Sequence, residues 1–269
     1  MRSSFLRRQA LARAGRYVAG ETLSDALVVV RRLVGAGLAV SVDRFGEAEA
    51  DVQMIASVVD EYRRLARAVE DVEGDVYLEV VPSHVGIDVS VEFFCEQARR
   101  IAAVLPDGAR LEVSAENSSR TPRIVDAVLR VASTGVPVVA TVQANLRRST
   151  GDAQMLVDGG VPIRLVKGAY VEPADVAYAW GEPTNVAFVR LAHEVHQRGG
   201  RLAIATHDPV IREALLPALN DVEVEMLLGV RPEDALELVD RGHLVRIYVP
   251  YGTAWFRYWM RRVAEARGA

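Results

Sequence analysis

The chain has 269 residues, long for one ordinary domain and normal for one α/β barrel. Half of them are hydrophobic, enough for a sizeable core, and 32 basic residues are intermixed with 36 acidic ones for a net charge of −4, which excludes the basic stripe of a nucleic-acid binder. The single cysteine, Cys95, excludes an internal disulfide framework and suits a reducing cytosol. No run nears the roughly 18 apolar residues of a spanning helix, which leaves only peripheral contact with a membrane surface open.

The first twenty residues, MRSSFLRRQALARAGRYVAG, are arginine-rich and acid-free. A transit peptide has that composition, but there is no signal-peptide apolar core. Leu6, Ala10, Leu11 and Ala14 share one helical face, which predicts a structural opening helix, with residues 1–37 forming helices ahead of the first strand. Eight short β-branched, apolar runs then follow: 38–45 (LAVSVDRF), 76–83 (VYLEVVPS), 110–117 (RLEVSAEN), 137–144 (PVVATVQA), 163–170 (IRLVKGAY), 201–208 (RLAIATHD), 222–229 (VEVEMLLG) and 243–250 (HLVRIYVP). The third and seventh carry charges inside the run. Helix-patterned segments such as EADVQMIASVVDEYRRLARAVE and VEFFCEQARRIAAVLP lie between runs, and Gly or Pro marks most joins.

Strands separated by helices imply right-handed βαβ units and a parallel sheet. Eight units in this length predict one closed (β/α)8 barrel over 1–269. An open doubly wound sheet would favour a glycine-rich turn after the first strand, and DRFGEAE has one glycine. Barrels of this kind carry their sites at the C-terminal ends of the strands. The groups predicted on that rim include Asp43, Arg44, Glu47, His84, Ser114, Glu116, Gln143, Arg164, Lys167, Tyr170, Thr206, His207, Asp208, Glu225 and Tyr248. They include no Cys/His spacing for a metal, and the chain has no nucleophile elbow or P-loop.

A strand-end arginine inside a barrel needs an anionic or carbonyl partner. Arg164 therefore pairs with a neighbouring strand, through Glu225 or Glu116, or it binds a ligand; composition weighs the two evenly. His207, at a strand end beside Thr206, leans towards ligand contact, whereas His193 and His196, three apart on a helix, read as a solvated face. After the last run, GTAWFRYWMRRVAEA reads as a turn and a helix with Arg261 and Arg262 below a line of aromatics. Two adjacent arginines there either clamp an anion or cap the helix end.

The motifs IRLVKGAY, ATHDP, RIYVPYG and YWMRR, in that order, with RYVAGE at 16–21 and SVDRFGE at 41–47, resemble the flavin-dependent proline dehydrogenase family, as does the glutamine-bearing VVATVQANLRRS. Each motif is modest, but together they span about 16–265. The resemblance implies a (β/α)8 barrel whose last helix lies over the strand ends. It also implies oxidation of L-proline to Δ1-pyrroline-5-carboxylate, with hydride passed to FAD and electrons to a quinone-type acceptor. By that resemblance Arg261 and Arg262 meet the substrate carboxylate, Tyr248 packs on its ring, Tyr258 is the aromatic on the substrate-facing side of the last helix, Ala169 lies near the substrate, and Glu47 pairs with Arg261. Gln143, Arg164, Val166, Lys167, Gly168, Ala169, Thr206, His207, Glu225 and Glu265 match flavin-contacting positions, with Arg164 and Tyr248 as the catalytic pair. Departures stand beside these matches, among them Leu228 where the family has a tyrosine after the seventh strand. Val81 replaces a family lysine, Ser114 an aspartate, Asn145 a tyrosine, and Glu225 a glutamine. They keep two alternatives in view: oxidation of a proline-like amino acid, and a non-catalytic relative that keeps only a carboxylate pocket.

Overall fold

Apolar runs of this kind form strands buried on both faces, against helices outside and against one another inside. The computed structural model describes residues 11, 13–46 and 48–266, with side chains as far as 263. The runs become β1 (Ala39–Arg44), β2 (Val76–Val80), β3 (Leu111–Val113), β4 (Val138–Gln143), β5 (Ile163–Val166), β6 (Leu202–Ala205), β7 (Glu223–Leu227) and β8 (Val245–Tyr251). All neighbours pair in parallel, and the order closes from β8 back to β1. Ala39 lies opposite Arg246 and Asp43 opposite Pro250, which excludes the open sheet. The strands stop short of the runs that announce them: residues 81–83, 114–117 and 167–170 leave the ladder to build the rim.

Helix α1 (Leu23–Val34) precedes β1. Helices α2 (Val52–Ala68), α3 (Val91–Ala102), α4 (Thr121–Ala132), α5 (Ser149–Asp158), α6 (Glu182–Gln197), α7 (Pro209–Leu215) and α8 (Pro232–Asp240) join successive strands, and α9 (Trp255–Ala266) follows β8. Their starts are chemically marked. Thr22 and Asp25 form a capping box, Asp51, Ser90 and Asp208 accept first-turn N–H groups, and proline opens α4, α6 and α8. Of the opening helix expected over 6–14, Leu11, Arg13 and Ala14 are helical, and the rest lies outside the described residues.

Alternation along each strand sorts the side chains. Val40, Val42, Leu78, Val80, Leu111, Val113, Ile163, Leu165, Val224 and Met226 join the helix-side core. The alternate set, including Ser41, Asp43, Glu79, Glu112, Arg164, Glu225, Arg246 and Tyr248, is buried on the opposite face, inside the barrel, with Glu223 half-buried on the same face. A strictly repeating barrel would place the helix after β8 outside β8 and β1. Here α1 packs against both of those strands, and α9 instead crosses the C-terminal ends. Trp255 and Tyr258 form a second apolar cluster there with Ala14, Val18 and Tyr248, flanked by Phe45 and Leu227.

The segment 16–21 straps the chain to this end of the barrel. Arg16 Nε donates to Gly229 O at 2.8 Å, Ala19 N to Pro250 O at 2.9 Å, and Trp255 Nε1 to Glu21 Oε1 at 2.8 Å. Gly229 has φ +73°, and a Cβ there would overlap the Arg16 carbonyl. Gly229→Ala is therefore expected to cost more than the roughly 1 kcal/mol of the left-handed backbone alone, because backbone must also move. A thermal melt should show Tm lower by at least about 3 °C; an unchanged Tm would mean the strap contributes nothing to stability.

Candidate active site

The barrel interior is ionic. Arg164 on β5 is 8% exposed and faces three carboxylates from other strands. Its Nε donates to Glu225 on β7 and lies 2.9 Å from Glu112 on β3, while Nη1 is 3.5 Å from Glu79 on β2. Nε carries one hydrogen, which goes to Glu225, so the Glu112 contact is coulombic and neither Glu112 oxygen accepts a protein hydrogen bond. Glu79 Oε1 accepts the hydroxyl of Ser114. Asp43 on β1 accepts from Tyr248 at 2.7 Å and from Tyr62 of α2 at 3.0 Å. One layer towards the N-terminal ends, Arg246 bonds Glu223 and Asp75 and stacks on Tyr77 with its Cζ 3.4 Å from the ring centroid.

Four buried carboxylates, Asp43, Glu79, Glu112 and Glu225, and the half-buried Glu223 thus meet two guanidinium groups, Arg164 and Arg246. Removal from water opposes ionisation of so many acids together. Burial raises Glu79 to about 7 against the pull of Arg164, and raises Glu223 to about 7 against Arg246. Burial, and next the charge of Glu225, push Glu112 well above the usual carboxylate range. Burial raises Asp43 too, although the two phenols hydrogen-bonded to it oppose the shift.

The rim of β4 to β6 is polar and locally ordered. Gln143 donates to the Glu116 carbonyl at 2.7 Å, and its own carbonyl accepts from Ser149. The β4–β5 ladder continues past both strands, with Asn145 N bonded to Lys167 O at 3.0 Å. Gly168, at φ +115°, abuts the Asn145 amide so closely that a side chain could not fit, and Asn145 Oδ1 has no protein partner. Lys167 donates to Asp208 at 2.9 Å, and Asp208 also caps α7, which fixes the lysine across the β5–β6 gap. His207 Nε2 accepts from Leu227 N at 3.1 Å, which places the proton on Nδ1, and Nδ1 is buried without a protein partner. Burial, then the charges of Arg212 and Arg262, hold His207 down to about 4, so the ring is neutral near pH 7.

Helix α9 closes this mouth. Tyr258 packs against Phe45 and Tyr248, with centroids 5.1 and 6.1 Å apart. Arg262 is half-buried, its Cζ 5.1 Å from the Tyr258 centroid. The charge of Arg262 reaches His207 on the β6 loop, and that of exposed Arg261 reaches Tyr170 on the β5 loop. The two arginines therefore serve different sectors of one mouth, as consecutive helical residues about 100° apart must.

Of the residues predicted from sequence, Gln143, Arg164, Val166, Lys167, Gly168, Thr206, His207, Glu225, Tyr248, Tyr258, Arg261 and Arg262 all fall at this end or just below it, and Ala169 sits exposed on the β5 loop. Glu47 and the side chain of Glu265 lie outside the described residues. For Arg164, Glu225 is a partner, but Glu116 is not. Glu116 accepts from Ser83 N at 2.8 Å and lies 3.6 Å from Arg120. Sequence reasoning missed Glu79 and Glu112 as interior groups. The charge inside the third run was the available signal, since a charged residue at an inward strand position must find a partner within the barrel.

The proline dehydrogenase family model matches residues 26–269. "Proline dehydrogenase 1" of Bacillus subtilis subsp. natto is 32% identical over 261 residues, covering 94% of this chain and 86% of that protein. "Proline dehydrogenase" of Deinococcus radiodurans is 32% identical over 269 residues with the same coverage. Among solved structures, proline utilization A from Bdellovibrio bacteriovorus, inactivated by N-propargylglycine, superposes with a TM-score of 0.84 at 20% identity. The match covers 97% of this chain, which spans 33% of that one. At that identity the likeness shows the fold alone.

The acid excess has a pH signature. Glu79 and Glu223 rise from 4.5 to about 7 on folding, so the folded state binds more protons between those values. Their contribution to stability is complete below about 4.5 and is lost as pH rises through about 7. Thermal melts are expected to give a Tm several degrees lower at pH 8 than at pH 5, with a smaller difference in Glu223→Gln. Equal values at both pH values would show that the interior acids are fully compensated.

Proposed function

The chain belongs to the proline dehydrogenase family, and on that premise we propose that it oxidises L-proline to Δ1-pyrroline-5-carboxylate. The observation that carries this reading is the placement of α9, which sets Tyr258, Arg261 and Arg262 over the strand ends beside Tyr248. Guanidinium forks suit a carboxylate bidentately, and the Tyr248–Tyr258 pair offers apolar faces to a small ring. Tyr248 is braced through its hydroxyl by Asp43, which fixes the ring face it presents. Phe45 and Tyr258 cover the same mouth and limit water at the reacting carbon.

The residues present fit FAD. His207 Nδ1 and Asn145 Oδ1 are buried polar atoms without protein partners, and Gly168 leaves its backbone bare at the β5 exit. Gln143, Val166, Lys167, Gly168, Ala169, Thr206 and His207 would hold the flavin across the ends of β4, β5 and β6, with Arg164 below it. FAD bound there supplies the hydride acceptor. His207 would donate from Nδ1, and Lys167, held by Asp208, would contribute a positive charge. A quinone-type compound accepts the electrons in turn, and the protein works in the cytosol. Among the described residues no helix is long and apolar enough to cross a membrane.

The purified protein is expected to show a flavin absorbance band that L-proline bleaches anaerobically. A colourless protein, or a band that L-proline leaves untouched, refutes the reading. The carboxylate clamp has its own test by calorimetry. Hydrogen bonds to charged groups contribute about 1.5–3 kcal/mol each, so Arg262→Met should lower affinity for L-proline at least about tenfold. L-prolinamide should bind the wild type poorly and hardly change. Equal losses for acid and amide, or none, would leave the arginines as mere helix caps.

A further inference from the structure

On the proline reading, we propose that Glu79, positioned by Ser114, binds the secondary ammonium of the substrate and so makes an anionic subsite to complement the Arg261–Arg262 pair. Glu79 is 4% exposed and belongs to the inward set of β2, since its neighbours Leu78 and Val80 lie in the helix-side core. Its Oε1 accepts from Ser114, while Oε2 is buried and has no protein hydrogen-bond partner. A buried carboxylate oxygen with nothing to accept from is costly unless a donor completes it.

Three of the other interior acids are occupied by hydrogen-bond donors. Glu225 takes the Arg164 Nε hydrogen, Asp43 accepts two phenols, and Glu223 bonds Arg246. Glu112, opposite Glu79 in the β2–β3 register, also has two oxygens without a hydrogen-bond partner, but it is wholly buried and lies against the Arg164 guanidinium. Arg164 reaches Glu79 only at 3.5 Å and already serves two other carboxylates. Glu79 thus combines a spare acceptor oxygen with slight exposure and a hydroxyl that orients it, whereas the open oxygens of Glu112 are wholly buried.

Its place relative to the arginines follows from Tyr248. Glu79 lies opposite Asp43 in the β1–β2 register, Asp43 accepts the Tyr248 hydroxyl at 2.7 Å, and the Tyr248 ring packs on Tyr258 of α9, one turn before Arg262. A zwitterion resting on Tyr248 has its carboxylate within the domain of α9 and its ammonium within that of β2. The replacements reinforce this. The family resemblance puts a lysine at Val81, two residues on from Glu79, and an aspartate at Ser114. With valine and serine there, no lysine stands by to neutralise Glu79, and the hydroxyl that replaces the aspartate orients it instead.

The test compares two ligands of the same ring size and carboxylate, L-proline and L-tetrahydrofuran-2-carboxylate, whose ring oxygen carries no proton. Calorimetry on the wild type is expected to favour L-proline at least about tenfold. Glu79→Gln should abolish that preference with little change for the ether. Glu223→Gln, the same substitution in the layer towards the opposite end of the barrel, should retain it. An ether that binds the wild type as tightly as L-proline overturns the subsite. So does a preference that survives in Glu79→Gln or disappears equally in Glu223→Gln. If neither ligand binds the wild type, the proline reading falls and the subsite with it; if both bind without preference, only the subsite falls.

Discussion

Charge buried without water is the constraint around which this barrel is arranged. Seven ionisable side chains, Asp43, Glu79, Glu112, Glu223, Glu225, Arg164 and Arg246, point inward where such barrels more often stack branched aliphatic residues. Arg164 is the hub: a single guanidinium on β5 reaches β2, β3 and β7, tying non-adjacent strands through the lumen. Such pairs are weak evidence for stability, because desolvation offsets much of the coulombic gain. The folding free energy comes from the other face of the same strands, where Val, Leu and Ile pack on the helices. What the lumen supplies is polarity held in place near the mouth.

The same economy of space explains the mouth itself. Helix α1 fills the outer groove between β8 and β1, so α9 has no apolar groove outside in which to bury Trp255 and Tyr258. Those rings find their burial on the strand ends instead, with Phe45 and Tyr248, and carry Arg261 and Arg262 with them. The strap at 16–21 belongs to this arrangement, since Arg16 and Glu21 fasten it to the β7 exit and to Trp255. RYVAGE, which matters to the family resemblance, thus shapes the site without carrying an obvious chemical group.

Much of the rim was legible because strand ends announce themselves. Gln143, Lys167, Gly168, Thr206 and His207 each follow an apolar run, and in a parallel barrel everything that follows a run lands on one face. The partner of Arg164 was half legible: Glu225 pairs with it, but Glu116, equally placed by sequence, turns to Ser83 and Arg120 instead. Glu79 and Glu112 were not read as site residues at all. Inside a run, one glutamate looks like another, and whether it faces solvent, helix or lumen depends on the phase of the pleat.

By itself the sequence determined the number and order of strands, the closed barrel, the end that carries chemistry and the family. These follow from periodicity, punctuation and motif order, which are local properties of the chain. Only the tertiary structure decided which charges share the lumen, that acids outnumber bases there, and that Glu79 and Glu112 keep carboxylate oxygens with no protein donor. Those outcomes depend on register between strands distant in sequence, such as Asp43 beside Glu79 and Glu225 beside Arg246. Register is settled by packing the whole barrel at once, and no stretch of residues encodes it alone.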